Sequence, residues 1–288
     1  MYKPNPKLMG SGVIGAIPHS GRCTVGCKDC FFQSGRSYLE PLEMNLPNMP
    51  TLEDVGNQIV RVNDGNDSNN DPDMVMKACA LYPNKFYNTS MPWGLEDFDA
   101  PVVLTVNPST KTDTTIQIVY PIPSNLLYVR VRTNMWNLEK VVDGVVEYYA
   151  QNWQVPVLLT MMAYHDDKDI PEKYKEFYTY RKRTLNEYWA LTKEGMKEIL
   201  HRYKHLKNVY LCGNESTWPD QTSCKHCQKC KKLYNKHTDM RKPLCHNDQY
   251  LLINKEVEKH EPIKEDCRVQ SRQVQTKESC GGTQITLC

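Results

Sequence analysis

No stretch of this 288-residue chain approaches the apolar length that a membrane-spanning helix requires. The opening residues, Met1-Tyr2-Lys3-Pro4-Asn5-Pro6-Lys7, hold no apolar segment of the signal-peptide kind. Formal net charge is only +2, so nothing global points to nucleic acid or a lipid surface. The local basic runs Arg181-Lys182-Arg183 and Lys229 through Lys232 read first as solvated faces. The sequence has no internal repeat, no nucleophile triad, no glycine-rich phosphate loop of the usual spacing and no paired-carboxylate signature. These absences lead to the expectation of a cytoplasmic chain with no membrane partner.

Cysteine, by contrast, is plentiful, at twelve residues. A disulfide framework belongs to small secreted domains. In a reducing cytosol, clustered cysteines bind metal or do redox work. Cys79 falls on a helical stretch and reads as a small buried hydrophobe.

The chain alternates apolar runs with helical stripes. Strands are expected at Val13 to Pro18, Ile59 to Val62, Lys85 to Ser90, Val102 to Val106, Leu126 to Val131, Val155 to Met162 and Asn208 to Leu211. Helices are expected after Thr51, where Asp54 completes a capping box, over Asp73 to Tyr82, and after Asn137. The last of these places Leu138, Val141, Val142, Val145, Val146 and Tyr149 on one face. Thr184 with Glu187 reads as another capping box, ahead of the stripe Met196, Ile199, Leu200 and Tyr203.

Strands followed by polar loops and helices argue for parallel strands with helical crossovers. The expected fold is α/β, a partial (β/α) barrel of about six parallel strands over residues 1–211. A small cysteine-rich appendage follows at 212–250, and a polar, weakly ordered tail at 251–288. In such folds the site lies at the carboxyl ends of the strands.

At the first strand end stands Gly21-Arg22-Cys23-Thr24-Val25-Gly26-Cys27-Lys28-Asp29-Cys30-Phe31-Phe32. The C-x3-C-x2-C spacing lets three thiolates hold three corners of a four-iron cluster and leaves the fourth iron open. The competing readings are a zinc site, with His19 nearby, or unrelated cysteines. With its place after the first strand, the run resembles that of the radical S-adenosylmethionine enzymes. The resemblance spans roughly residues 12–211 in architecture, and the triplet is its specific part. It implies that Cys23, Cys27 and Cys30 each bind one iron of a [4Fe-4S] cluster. It further implies that S-adenosylmethionine chelates the open iron and is cleaved by one electron to a 5′-deoxyadenosyl radical, which abstracts hydrogen from a substrate that the sequence does not identify. An electron donor such as flavodoxin or ferredoxin is then implied as a partner.

The chain departs from the family pattern in two places. Asp29 stands where an aromatic is usual, with Phe31 and Phe32 following. Asn63-Asp64-Gly65-Asn66-Asp67 replaces a Gly-Gly-Glu-like stretch that meets the methionine amino group. Asn63, Asp64 and Gly65 are the candidates for that role. Arg130 and Arg132 alternate onto one face of their strand and are candidates for the cofactor carboxylate. The plain alternative is that they are rim arginines in ion pairs. Asn107 and Asn134 are candidates for ribose hydroxyls or, equally, ordinary turn residues. Tyr164 and His165 are strand-end candidates for hydrogen or proton delivery, although a lone strand-end histidine is more often structural.

A second group, Cys224-Lys225-His226-Cys227-Gln228-Lys229-Cys230, has the C-x2-C-x2-C spacing with no fourth cysteine at position 234, which is Tyr. Cys212, Cys245 or His246 would complete it, as a second iron–sulfur cluster or as zinc. Its lysines are expected to lower the thiol pKa values and are compatible with a nucleic-acid partner. The rival function is therefore a non-catalytic zinc-binding module for nucleic-acid or protein interaction.

Overall fold

The computed structural model describes residues 1–241 apart from 28–29, 31, 34, 36, 108–117 and 183–186. The tail 251–288 and the 242–250 part of the appendage, with Cys245 and His246, lie outside the described residues, as do Asp29, Phe31 and Thr184. In chain order the elements are β1 (Val13–Ala16), α1 (Leu42–Asn45), α2 (Leu52–Val55), β2 (Ile59–Val62), α3 (Pro72–Cys79), β3 (Lys85–Thr89), β4 (Val102–Val106) and β5 (Leu126–Thr133). Next come helix α4 over 138–152, β6 (Val157–Met161), β7 (Tyr178–Lys182), β8 (Glu187–Leu191), α5 (Lys193–Tyr203), β9 (Val209–Leu211), α6 (Cys224–Cys227) and α7 (Lys229–Arg241). Among the described residues no helix is long and apolar enough to cross a membrane.

Seven strands pair in the order β1-β2-β3-β4-β5-β6-β9, every pair parallel. Each strand thus neighbours the one before it in this sheet, and the sheet curls into a half-barrel with helices outside. The seven strands fall at the seven places where strands were expected, with β9 at the edge. All carboxyl ends lie along one rim because every pair is parallel.

Alternation along each strand sorts the side chains. Val60, Val62, Leu104, Val129, Val131, Val157 and Leu159 turn outward into the main core with Val75, Val142, Val145, Tyr149, Met196 and Ile199 from the helices. Cys79 belongs to this core, fully buried, and burial pushes its thiol up to about 12. Val13, Ile59, Phe86, Val103, Tyr128 and Leu158 turn to the opposite, inner face.

The capping box Thr51/Asp54 forms as expected. The one at Thr184/Glu187 does not: Glu187 opens strand β8, which pairs antiparallel with β7 in a separate two-stranded ribbon. The cap of α5 is Thr192, whose hydroxyl accepts the Gly195 N–H. The spacing S/T-x-x-E describes a cap only where no strand partner competes for the same backbone, and here β7 is that partner. Helix α4 keeps its apolar face, but Leu138–Val142 and Val146–Asn152 are wound as π-turns around Asp143–Val145.

Helix α7 fills the inner face. Leu233 and Tyr234 are buried there against the inner strand residues, with the Tyr234 and Phe86 rings 6.1 Å apart. Truncating Leu233 to Ala removes the apolar anchor of the cysteine-bearing segment. A loss of about 2–4 kcal/mol is expected in urea unfolding, together with loosened retention of any metal held by Cys224 to Cys230.

Candidate metal centres

The first site sits at the rim. Strand β1 delivers the chain into the cysteine loop, and Gly26, with φ of +66°, makes the reversal between Cys23 and Cys27. The Cys30 N–H then donates to the Cys27 carbonyl at 3.3 Å. All three thiols are half-buried and unbridged. Burial raises the Cys23 and Cys27 thiols above their ordinary value. Working against burial, Asn70 donates to the Cys23 Sγ at 3.4 Å, and Asn107 and Arg132 favour the Cys27 thiolate. Cys23 feels Cys27, and Cys27 feels Cys30.

Two of the sequence candidates therefore meet the triplet. Arg132 Nη1 donates to Asn107 Oδ1 at 3.1 Å; Asn107 bonds the Cys27 thiol, and the Arg132 charge reaches it. Arg132 has no carboxylate partner among the described residues. Gly65 has a packing role. A Cβ placed on it would fall 2.2 Å from ring carbons of Phe32, so the ring lies flush on the glycine. Gly65→Ala must push Phe32 off the loop. Metal bound by the triplet is expected to drop by at least half on desalting, with the melting temperature within a few degrees of wild type.

Other candidates are engaged differently. Asn63 is buried with φ of +57°, donates to Ser68 Oγ at 3.0 Å, and has His19 Nδ1 3.2 Å from its Oδ1. Asp64 turns to the inner face, ion-paired to Arg61 and accepting from Asn5. Asp67 anchors the loop by accepting from Thr89 Oγ1 at 2.6 Å and from the Ser90 N–H and hydroxyl at 2.7 Å. Asn134 shapes a turn, accepting from the Trp136 and Asn137 N–H groups. Tyr164 is buried among Trp136 and Tyr178 and accepts from Asn134 Nδ2 at 2.9 Å; His165 is half-buried beside the Glu187 carbonyl.

The second site lies inside the half-barrel. Cys212, Cys224, Cys227 and Cys230 line one cavity of about 140 Å³. Five cationic side chains, Lys7, Arg61, Arg130, Lys229 and Lys231, share its wall, and no carboxylate does. Arg130 thus parts from Arg132: the two alternate onto one face, as read from sequence, but serve different cysteine groups. Arg130 Nη2 donates to Tyr128 Oη at 3.2 Å, and Tyr128 Oη donates to Cys230 Sγ at 3.1 Å. Burial works against the Arg130 charge, but Tyr128, Cys230 and Cys212 outweigh it and hold the guanidinium protonated above its usual range. It has no carboxylate partner among the described residues.

Cys212 and Cys227 share a hydrogen bond that draws the Cys212 thiol down and the Cys227 thiol up. Cys224 is raised, chiefly by burial, against the pull of Arg61 and Lys7. The lysines between these cysteines therefore do not govern their acidity; burial and thiol pairing do. Among the described residues no set of three or more His, Cys, Asp or Glu is arranged around a single ion position.

The two sites share the inner wall. Arg132 is in register with Thr160 on β6. Cys212 follows Leu211, the register partner of Leu159, and its N–H donates to the Leu159 carbonyl at 2.8 Å. The row Arg132, Thr160, Cys212 therefore crosses two strand spacings, about 10 Å. Comparison with protein-family models, with curated proteins and with solved structures finds no match. What the sites can do rests on their own chemistry.

Sequence reading missed Arg61 and Thr160 as wall residues. The signal was present in each case: a polar side chain at an alternate position of an otherwise apolar strand. Asn70 and Lys7 carried no such signal.

Proposed function

We propose that this chain is a radical S-adenosylmethionine enzyme with a second iron–sulfur site inside its barrel. The observation that carries the reading is the Arg132 guanidinium, bonded to Asn107 near Cys27 at the rim of a half-barrel and without a carboxylate partner among the described residues. Three thiols with a guanidinium near them, opposed by the more distant charge of Asp67, suit a metal group with one open position for an anionic ligand.

In this reading Cys23, Cys27 and Cys30 would hold a [4Fe-4S] cluster. When bound, that cluster supplies the electron that cleaves S-adenosylmethionine to methionine and a 5′-deoxyadenosyl radical. The chain's own residues bind and orient. Arg132 receives the methionine carboxylate, for which a guanidinium is a bidentate partner. Asn107 fixes Arg132 by its 3.1 Å contact and steadies the Cys27 sulfur. Phe32, seated on Gly65, keeps water from the loop. Asn63 and Asp67 hold the loop's shape rather than touch the cofactor.

At the second site the donor set is Cys212, Cys224, Cys227 and Cys230, with Cys212 as the fourth ligand. A zinc tetrahedron has Zn–S near 2.3 Å and leaves no space between its sulfurs. Five cationic side chains on the cavity wall suit an anionic iron–sulfur cluster, while the Cys212–Cys227 hydrogen bond also fits the close sulfurs of a zinc site. The electron donor would be a flavodoxin or ferredoxin in a reducing cytoplasm.

Anaerobically purified protein tests this. It should be brown, and its reduced EPR signal should change on adding S-adenosylmethionine. 5′-Deoxyadenosine should form under dithionite. A colourless, zinc-loaded protein that yields no 5′-deoxyadenosine would sink the reading and leave a zinc-stapled interaction module.

A further inference from the structure

A half-barrel leaves two sheet edges open. Among the described residues β1 pairs only with β2, and β9 only with β6. Open edges carry unpaired N–H and C=O groups that need cover. On the β1 side, the Gly12 and Ala16 carbonyls accept the Ile59 and Asn63 N–H groups, so Val13, Gly15 and Ile17 turn their backbone groups the other way. The N-terminal segment serves them there. Ser11 Oγ accepts the Val13 N–H at 3.1 Å and donates to its carbonyl at 3.3 Å. Tyr2 Oη donates to the Gly15 carbonyl at 2.8 Å. Asn48 bridges Ile17 through its backbone and holds Lys3 through its side chain.

The cysteines of the second site come from both sides of the opening. Cys212 directly follows β9. Cys224 lies against the cover of β1: its N–H donates to the Lys7 carbonyl at 3.0 Å, and the Lys225 and Lys231 side chains lie over Gly10 and Gly12. Ser11 and Val13 of one edge and Cys212 and Gly213 of the other line the same cavity. The appendage has an apolar seat of its own, because Leu233 and Tyr234 anchor α7 on the inner face. What strand pairing leaves unjoined is β1 and β9.

We propose that metal at the second site clasps the two edges of the half-barrel. Cys212 on one side and Cys224, Cys227 and Cys230 on the other share one thiolate-bound group, iron–sulfur or zinc, and so tie the end of β9 to the cover of β1. The proposal rests on the second site holding metal and is independent of any chemistry at the triplet. A tie of this kind suppresses local opening of the segments it joins and leaves distant strands as they were.

The test is hydrogen–deuterium exchange read by mass spectrometry. It uses the full chain carrying Cys23→Ala/Cys27→Ala/Cys30→Ala, so that bound metal reports the second site alone. The protein is stripped with a chelator, then reloaded with zinc or, anaerobically, with iron and sulfide. Reloading should slow exchange about tenfold or more in both 2–12 and 209–213, with 102–106 in mid-sheet unchanged. With Cys212→Ser added, 209–213 should exchange as in the stripped chain. Protection of 2–12 and 224–236 with 209–213 unmoved would overturn the clasp and make the metal a staple of the appendage. An even slowing over the whole sheet, mid-sheet included, would overturn it too. Protection by zinc alone would uphold the clasp and count against an iron–sulfur cluster at this site. Failure to bind either metal would remove the second site and the clasp with it.

Discussion

Replacing Cys23, Cys27 and Cys30 together by Ala is expected to bring 5′-deoxyadenosine formation down to background while the protein stays coloured. If both sites hold four-iron clusters as proposed, iron should fall from about eight to about four per chain, since each would have its own thiolate set. Retention of the remaining iron follows from the architecture. Cys224, Cys227 and Cys230 ride on α6 and α7, whose seat is Leu233 and Tyr234 on the inner sheet face. Cys212 is fixed by its backbone bond to Leu159. None of these supports passes through the loop after β1. The complementary variant, with Cys224, Cys227 and Cys230 replaced, should keep S-adenosylmethionine-dependent changes in the EPR signal of the triplet. Loss of all iron from the first variant would mean that the two sites do not load separately.

Arg130→Met is expected to destabilise the metal-loaded protein far more than the metal-free protein. In the loaded form four thiolates face the Arg130 guanidinium, which has no carboxylate partner of its own among the described residues. Removing it leaves negative charge uncompensated at a cost of about 3 kcal/mol, the low end for a buried charge because the cavity wall is half-exposed. Retention of metal by the second site should weaken on the order of a hundredfold. In the metal-free form Tyr128, Cys230 and Cys212 already favour the charge over the cost of its burial, so the same change should destabilise only by about 1 kcal/mol, the worth of its bond to Tyr128. Tyr128 keeps its bond to Cys230 in either case. Urea unfolding of both forms, with iron assay, reads the difference. Destabilisation of both forms to the same extent would make Arg130 a packing residue and remove the electrostatic argument for an anionic group.

Much of the sheet was legible because its strands are locally encoded. Ile59 to Val62 and Val102 to Val106 are apolar runs bounded by turn residues, and they form β2 and β4 at those limits. The β7–β8 ribbon was not legible. Tyr178 to Lys182 is polar on its exposed positions, and its pairing with Glu187 to Leu191 is a tertiary choice that also cancelled an apparent helix cap. The Asn63-to-Asp67 loop follows a strand as expected, and its contacts to Ser68, Arg61, Thr89 and Ser90 are tertiary relations that the local sequence does not record.

By itself the sequence determined the alternation of strands and helices and the C-x3-C-x2-C loop after the first strand, because periods of two and 3.6 and short ligand spacings are local properties. It determined also that Arg130 and Arg132 share a face. Only the tertiary structure decided that these arginines serve different cysteine groups, that Cys212 joins Cys224, Cys227 and Cys230, and that Lys7 sits beside them. Those relations join segments from opposite ends of the described chain. They exist only once the sheet has curled and α7 has filled its inner face, and no local pattern records that closure.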